Sequence, residues 1–263
     1  MSRGLFDLTG KVVVATGGNS GIGQAFLTGC ARQGAAVVSW DRDAARSEEV
    51  LASLRNAGAG RVHAETVDVT DEAAVDAAFA STLATMGRVD CLLANAGFNA
   101  RAPSFPDMTS EAWHGLLAVN LHGAFYTLRA ATRHMRERAL AGDPGGSLVV
   151  TGSLSIFHGM QGMEHYAAAK GALAAVVKGL AVEMGQYGVR ANMLTPGFIM
   201  TAMTASSPEA KPVIERMSAI TPLGRPGEMA DIEGPAAYLA SDASRFHTGD
   251  ILVIDGGRIV KSL

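Results

Sequence analysis

Thiol chemistry is almost absent from this 263-residue chain, in which only Cys30 and Cys91 occur. Cys30 falls in a helical pattern and Cys91 in an apolar run, neither at ligand spacing to a second thiol, so both are expected to be buried and reduced. A disulfide scaffold is thereby excluded. No stretch approaches the roughly 20 apolar residues that span a bilayer. The opening MSRGLFDLTGKVVVATGG runs into a strand without the charged-then-apolar layout of an export signal, which predicts a soluble, cytoplasmic protein. An excess of one charge is also missing: 22 basic and 25 acidic residues are well mixed, for a net charge of −3. Such a surface offers no electrostatic footprint for nucleic acid or an anionic membrane. Internal repeats and low-complexity segments are absent too.

What is present is a regular alternation. Short, Val-rich, nearly continuous apolar runs at 11–16, 35–40, 62–66, 89–94, 147–151, 189–194 and 251–254 read as parallel strands covered on both faces. Helical patterns at 21–33, 43–57, 71–86, 109–139, 164–187 and 228–240 lie between them. Strand then helix, repeated, predicts one α/β domain over 1–263, a Rossmann-type doubly wound parallel sheet of seven strands with helices on both faces. Asp71 and Glu72 place acids at one helix start, and Arg133, Arg136 and Arg138 crowd another helix end, as the helix dipole favours. The long unassigned stretch 196–225, with a weakly helical patch around Pro208, Glu209 and Lys211, is expected to form a substrate lid.

A Gly-rich turn, TGGNSGIG at 16–23, sits between the first strand and the first helix. Gly17, Gly21 and Gly23 permit a tight turn close to a pyrophosphate, whose charge the free N–H groups of the helix can meet. Asn19, Ser20 and Ile22 complete the turn. The second strand ends at Asp41, 24 positions beyond Gly17, close to the spacing of about 20 at which an acid meets a ribose 2′-hydroxyl. An anion there repels a 2′-phosphate, and Ser20 supplies no basic alternative, so NAD is expected over NADP. Arg42 is the one dissenting residue.

A second constellation lies in the run TGSLSIFHGMQGMEHYAAAKGA. If Tyr166 opens a helix, Lys170 four residues on shares its face. A free phenol titrates at about 10 and is a poor proton shuttle at neutral pH; a nearby cation should favour the phenolate and lower that value. The pair is a candidate general acid/base. Of the seven histidines only His158 and His165 lie near these residues in sequence, at a spacing unsuited to zinc, so no metal is expected.

Taken together, TGGNSGIG, Asp68 in DVT, NAG at 95–97, Asn120 in VNLHG, Ser153, Tyr166, Lys170, and Pro196-Gly197 with Thr201 resemble the short-chain dehydrogenases/reductases, over 5–257. The resemblance is to the oxidoreductase branch whose members are close to this chain in length. It implies a catalytic set of Asn120, Ser153, Tyr166 and Lys170. Tyr166 moves the substrate proton, Ser153 holds the substrate oxygen, and Lys170 binds the nicotinamide ribose. Asn120 shapes a helix and holds a water. Asp68 and Val69 meet the adenine, Asn95, Ala96 and Gly97 line the cofactor floor, and Pro196, Gly197, Ile199 and Thr201 touch carboxamide and pyrophosphate. The implied reaction is hydride transfer between nicotinamide and a secondary alcohol or ketone.

Substrate is expected beside Phe98, Ser153, Ser155, His158, Met160, Met163, Met200 and Met203, with Asn99, Arg101, Ile156 and Phe157 nearby. That wall is largely apolar, which favours a hydrophobic or aromatic substrate. The opening FDLTGK and Arg101 are similar to the sugar-acid dehydrogenases of the family, where an arginine could clamp a carboxylate. An NADPH-dependent oxoacyl thioester reductase is disfavoured by Asp41, and a dinucleotide-binding sensor without turnover would not need Ser153, Tyr166 and Lys170 intact. The resemblance implies a homotetramer through the fourth and fifth large helices, with a dimer as the smaller possibility, and the small residues at 167–175 would allow close helix approach.

Overall fold

A computed structural model describes residues 4–201 and 210–261. Its first strand, β1 (Val12–Thr16), is buried at every position, as an uninterrupted Val run between two helical layers must be. Strands β2 (Ala36–Asp41), β3 (Val62–Thr66), β4 (Cys91–Ala94), β5 (Gly146–Thr151), β6 (Val189–Pro196) and β7 (Ile251–Ile254) join it in one sheet. The order is β3-β2-β1-β4-β5-β6-β7 with every pairing parallel. The direction of winding reverses between β1 and β4, where open sheets form a ligand crevice at the strands' carboxyl ends.

Two apolar layers cover the sheet. Helices α1 (Gly21–Ala31) and α2 (Ser47–Asn56) pack Phe26, Leu27, Cys30, Val50 and Leu54 on one face. Helices α3 (Glu72–Met86) and α5 (Ala124–Leu140), with α6 (Glu164–Met184), pack Phe79, Leu128, Met135, Leu173 and Val177 on the other. Both cysteines are free and buried, and burial pushes the Cys91 thiol up to about 12. Asp71 caps α3 by accepting from the amides of Ala73 (2.9 Å) and Ala74 (3.1 Å), as its sequence position predicts. Among the described residues no helix is long and apolar enough to cross a membrane.

The expected single helix over 109–139 is interrupted. Helix α4 (Ser110–Leu117) passes into a π turn at Ala118–Gly123 before α5 begins. A Cβ on Gly123 would lie 2.6 Å from Val69 Cγ2, so only glycine lets the helix approach the loop after β3 this closely. Other sequence boundaries shift by smaller amounts. The pattern at 43–57 resolves into a short 3-10 turn at Ala44–Arg46 and α2, and that at 164–187 into α6 and a 3-10 turn at Gly185–Tyr187. The proposed lid contains α7 (Ala210–Ile220); Pro208 and Glu209 lie outside the described residues.

Helix α8 (Ala230–Ala240) crosses α1 at Gly29, where an added Cβ would meet the Glu233 carbonyl oxygen at 2.3 Å. Gly29→Ala should therefore cost about 1–3 kcal/mol by forcing the helices apart. Gly115→Ala, at a helical glycine with nothing among the described residues within 4 Å of the new methyl, should instead stabilise by about 0.5–1 kcal/mol. Thermal melts of the two variants check both signs.

Candidate active site

The carboxyl ends of β1, β4 and β5 are tied together by side chains rather than by the ladder. Thr16, buried at the end of β1, accepts through Oγ1 from the amides of Asn95 and Ala96, both at 2.9 Å. Asn95 returns the contact, donating from Nδ2 to the Thr16 carbonyl at 2.9 Å. Its Oδ1 accepts from Thr151 Oγ1 at 3.0 Å. The Thr151 carbonyl in turn accepts from Lys170 Nζ at 2.7 Å. Asn95 thus has its carboxamide committed to the scaffold, and Ala96 and Gly97 continue the floor beyond it.

Asn120 sits inside the π turn, buried, and makes a reciprocal pair with Phe98: Oδ1 accepts from the Phe98 amide (3.0 Å) and Nδ2 donates to its carbonyl (2.8 Å). A Cβ on Gly97 would lie 3.0 Å from Asn120 Oδ1. The loop after β4 is therefore held down on the π turn, which is the local reason a helical irregularity stands beside the site.

Ser153 Oγ accepts from the Ser155 amide at 3.1 Å, and its hydroxyl stands close enough to the Tyr166 phenol to favour the ionised form. The sequence leads one to expect a lowered phenol pKa; the structure gives the opposite direction. Burial raises it, and the Ser153 hydroxyl offsets part of the rise. Lys170 Nζ lies 5.8 Å from the Tyr166 ring centroid with its short contact directed at Thr151, so it stabilises the phenolate less than a direct partner would. Burial also penalises the ammonium, bringing Lys170 down to about 8.

In the Gly-rich turn, Gly17 (φ +63°) and Gly21 (φ +54°) hold left-handed backbone. Among the described residues, the Cβ position of Gly21 has only Thr201 Cγ2 near it, at 3.9 Å. Ser20 is an extended N-cap whose side chain makes no capping bond, and the first turn of α1 carries no acid. Amides free at a helix N-terminus suit a pyrophosphate. Gly23 is packed against Gly17, and Ile22 joins the α1 core layer. Asn19 departs from a ligand role. It is buried, accepting from Ser39 Oγ (2.7 Å) and donating to the Asp43 carbonyl (2.8 Å) and Ser47 Oγ (3.1 Å), so its side chain anchors the turn to the end of β2.

Asp41 is half-buried and accepts from the amides of Asn19 (3.1 Å) and Asp43 (3.0 Å). A carboxylate has further lone pairs, so a ribose hydroxyl can still be received. Arg42 is exposed and helps hold Asp68 below the usual carboxylate range, after the larger contributions of the Thr70 amide and hydroxyl. Val69 is buried against Gly123. At the end of β6, Pro196 is buried and Gly197 lies against Asp255. Ile199 pairs with Gly227 across the lid base, and Met200 donates its amide to the Gly227 carbonyl. A cavity of about 190 Å³ at this base, lined by Phe198, Leu223, Arg225 and Pro235 among others, lies apart from the Ser153–Tyr166 pair.

Of the expected substrate neighbours, Phe98, Phe157 and His158 are exposed, Met160, Met163 and Met200 are half-buried, and Ser155 is buried with an unpartnered hydroxyl. Met203 lies outside the described residues. His165 is buried with Nδ1 unpartnered. The Gly162 carbonyl accepts from the Ala102 amide at 2.8 Å, and Arg101 Cγ lies beside Gly162, so the two candidate substrate loops clasp each other.

The chain is similar to known proteins over nearly its whole length. The family described as "Enoyl-(Acyl carrier protein) reductase" matches residues 17–258. Among curated relatives, an L-rhamnose 1-dehydrogenase (NAD(P)(+)) of Azotobacter vinelandii is 36% identical over 96% of this chain and 98% of its own. A 5-keto-D-gluconate 5-reductase of Escherichia coli is 33% identical over 97% and 98%. A gluconate 5-dehydrogenase from Burkholderia cenocepacia, solved with NADP and tartrate, matches at 32% identity and TM-score 0.87, over 98% of each chain. The chain belongs to the short-chain dehydrogenase/reductase family. It is an oxidoreductase of the kind that acts on CH–OH groups.

Within this short-chain dehydrogenase/reductase site, Thr151 escapes a reading of the sequence, and Thr16 is read there only as the first residue of the Gly-rich turn. Each is a hydroxyl at the last position of a strand, where an unsatisfied ladder end invites a side-chain partner; that position is the signal that could expose them. Removing the buried amide in Asn19→Ala leaves Ser39 Oγ and the Asp43 carbonyl without their partner. A loss of about 1–3 kcal/mol in denaturant stability is expected.

Proposed function

We propose that this protein transfers a hydride between NAD(H) and a secondary alcohol or ketone, with Tyr166 as proton donor and acceptor. The observation that carries this reading is the buried Lys170 ammonium, held 2.7 Å from the Thr151 carbonyl and 5.8 Å from the ring centroid of Tyr166, with Ser153 beside the phenol. When bound, the dinucleotide supplies the redox chemistry. Ser153 orients the substrate oxygen, and Tyr166 exchanges a proton with it. Lys170 lends positive charge and a donor to the cofactor ribose. Gly17, Ser20, Gly21 and Thr201 surround the pyrophosphate, and the 196–225 segment acts as the lid. The intact acid/base set argues against a sensor without turnover.

A phenol whose pKa is raised stays protonated through neutral pH, the form that donates to a ketone oxygen. Ketone reduction should hold at neutral pH and fall as pH rises through the Tyr166–Lys170 ionisations, while alcohol oxidation, which needs the deprotonated form, should rise over the same range. Initial rates in both directions against pH check the sign; oxidation that declines with rising pH would contradict it.

Asp41 supports NAD as the preferred cofactor, and the exposed Arg42 gives NADP a secondary foothold. Aldoses, sugar acids and keto-sugar acids, the substrates named for the relatives above, head the substrate panel, with Arg101 as the cation for an acid. Exposed Phe98 and Phe157 favour a second reading, a hydrophobic or aromatic alcohol. Exposed Phe125 on α5 and Val176 and Val182 on α6 support assembly into a homotetramer through these helices.

Tyr166→Phe should lower kcat by about 10²–10⁴, the usual worth of general acid/base catalysis, while the Kd for NADH stays within about twofold by nicotinamide fluorescence. Asp41→Ala should shift the NAD/NADP ratio of kcat/KM toward NADP by about tenfold, one lost charge-assisted contact. An unchanged ratio would remove Asp41 from the ribose.

A further inference from the structure

Strand β4 ends at Ala94 opposite Val150, so Thr151 runs one residue past its neighbour. On that side the ladder gives Thr151 no backbone pairing, yet the residue is only 6% exposed. Both of its polar oxygens are nonetheless bonded: Oγ1 donates to Asn95 Oδ1 at 3.0 Å and the carbonyl accepts from Lys170 Nζ at 2.7 Å. Asn95 is itself held by Thr16 at the mouth of the Gly-rich turn. On the opposite flank Gly152 donates its amide to the Leu194 carbonyl at 2.7 Å and leaves no room for a Cβ beside Thr195 Oγ1. The Thr151 peptide is therefore gripped from both neighbouring strands.

We propose that Thr151 is a positioning residue for Lys170, its hydroxyl locked on Asn95 so that its carbonyl holds the ammonium in one place and couples the lysine to the dinucleotide turn. The role rests on the acid/base reading given above. A buried lysine has four rotatable bonds in its stem and needs a fixed acceptor if its charge is to act at a constant distance from Tyr166. The Thr151 hydroxyl touches neither reacting atom; it acts through the peptide that carries the carbonyl. The titratable side chain facing the ammonium is Tyr166, its ring centroid 5.8 Å away.

The test compares Thr151→Val, which keeps shape and removes the hydroxyl, with Thr151→Ser, which keeps the hydroxyl. Thr151→Cys stands in if the valine variant does not fold. The readouts are kcat against pH, NADH affinity by fluorescence and melting temperature. Valine or cysteine should lower kcat and NADH affinity by about fivefold, the worth of one buried hydrogen bond, and displace the ionisation seen in the pH profile. Serine should restore both to within about twofold. A parent-like pH profile in the valine or cysteine variant overturns the proposal, including when the melting temperature alone falls. So does a serine variant as impaired as valine. A parent enzyme inactive across the whole substrate panel would instead defeat the acid/base reading, which keeps the two failures distinct.

Discussion

Lys170 buries its ammonium with the Thr151 carbonyl 2.7 Å away. Burying a cation is costly unless a partner compensates, and a single neutral carbonyl compensates only in part, which is why the lysine ionises near 8 rather than at its usual value. The same desolvation raises the neighbouring phenol. One constraint, desolvation of the Lys170 ammonium and of the half-buried phenol beside it, thus brings two groups whose ordinary ionisations lie above neutrality into contrasting states: a phenol kept protonated and an ammonium made labile.

The surrounding scaffold exists to hold that arrangement at the carboxyl ends of the strands. Asn95 joins β1 to β5 through Thr16 and Thr151, and Asn120, presented by the π turn, pins the loop after β4. The π turn would not lie so close to the loop after β3 if Gly123 carried a side chain. Local irregularity, a missing Cβ and committed amides combine to rigidify the floor, as a site acting through positioned charge requires. The opposite, amino-terminal edge of the sheet is held differently, by Arg88 and Arg138 converging on buried Asp90.

Much of this is legible in the residues. The strand runs are readable because a doubly covered strand is apolar throughout, and Tyr166 and Lys170 because four-residue spacing on a helix fixes a shared face. The π turn is not, since 118–123 keeps a helical apolar pattern and only the packing of Gly123 on Val69 shows why it bulges. Asn19 reads as a ligand contact because a polar residue in a Gly-rich turn looks alike whether it faces a phosphate or, as here, Ser39 and Asp43. The direction of the phenol shift is also inaccessible: spacing reveals proximity to a cation, whereas depth of burial, which dominates, is a property of the folded layers.

A carbon-13 chemical-shift titration of the Lys170 side chain, assigned by comparison with a Lys170→Met variant, addresses the buried ammonium itself. A midpoint near pH 8 is the expected result. A midpoint at the ordinary lysine value of about 10.4 would show a solvated ammonium and contradict the account.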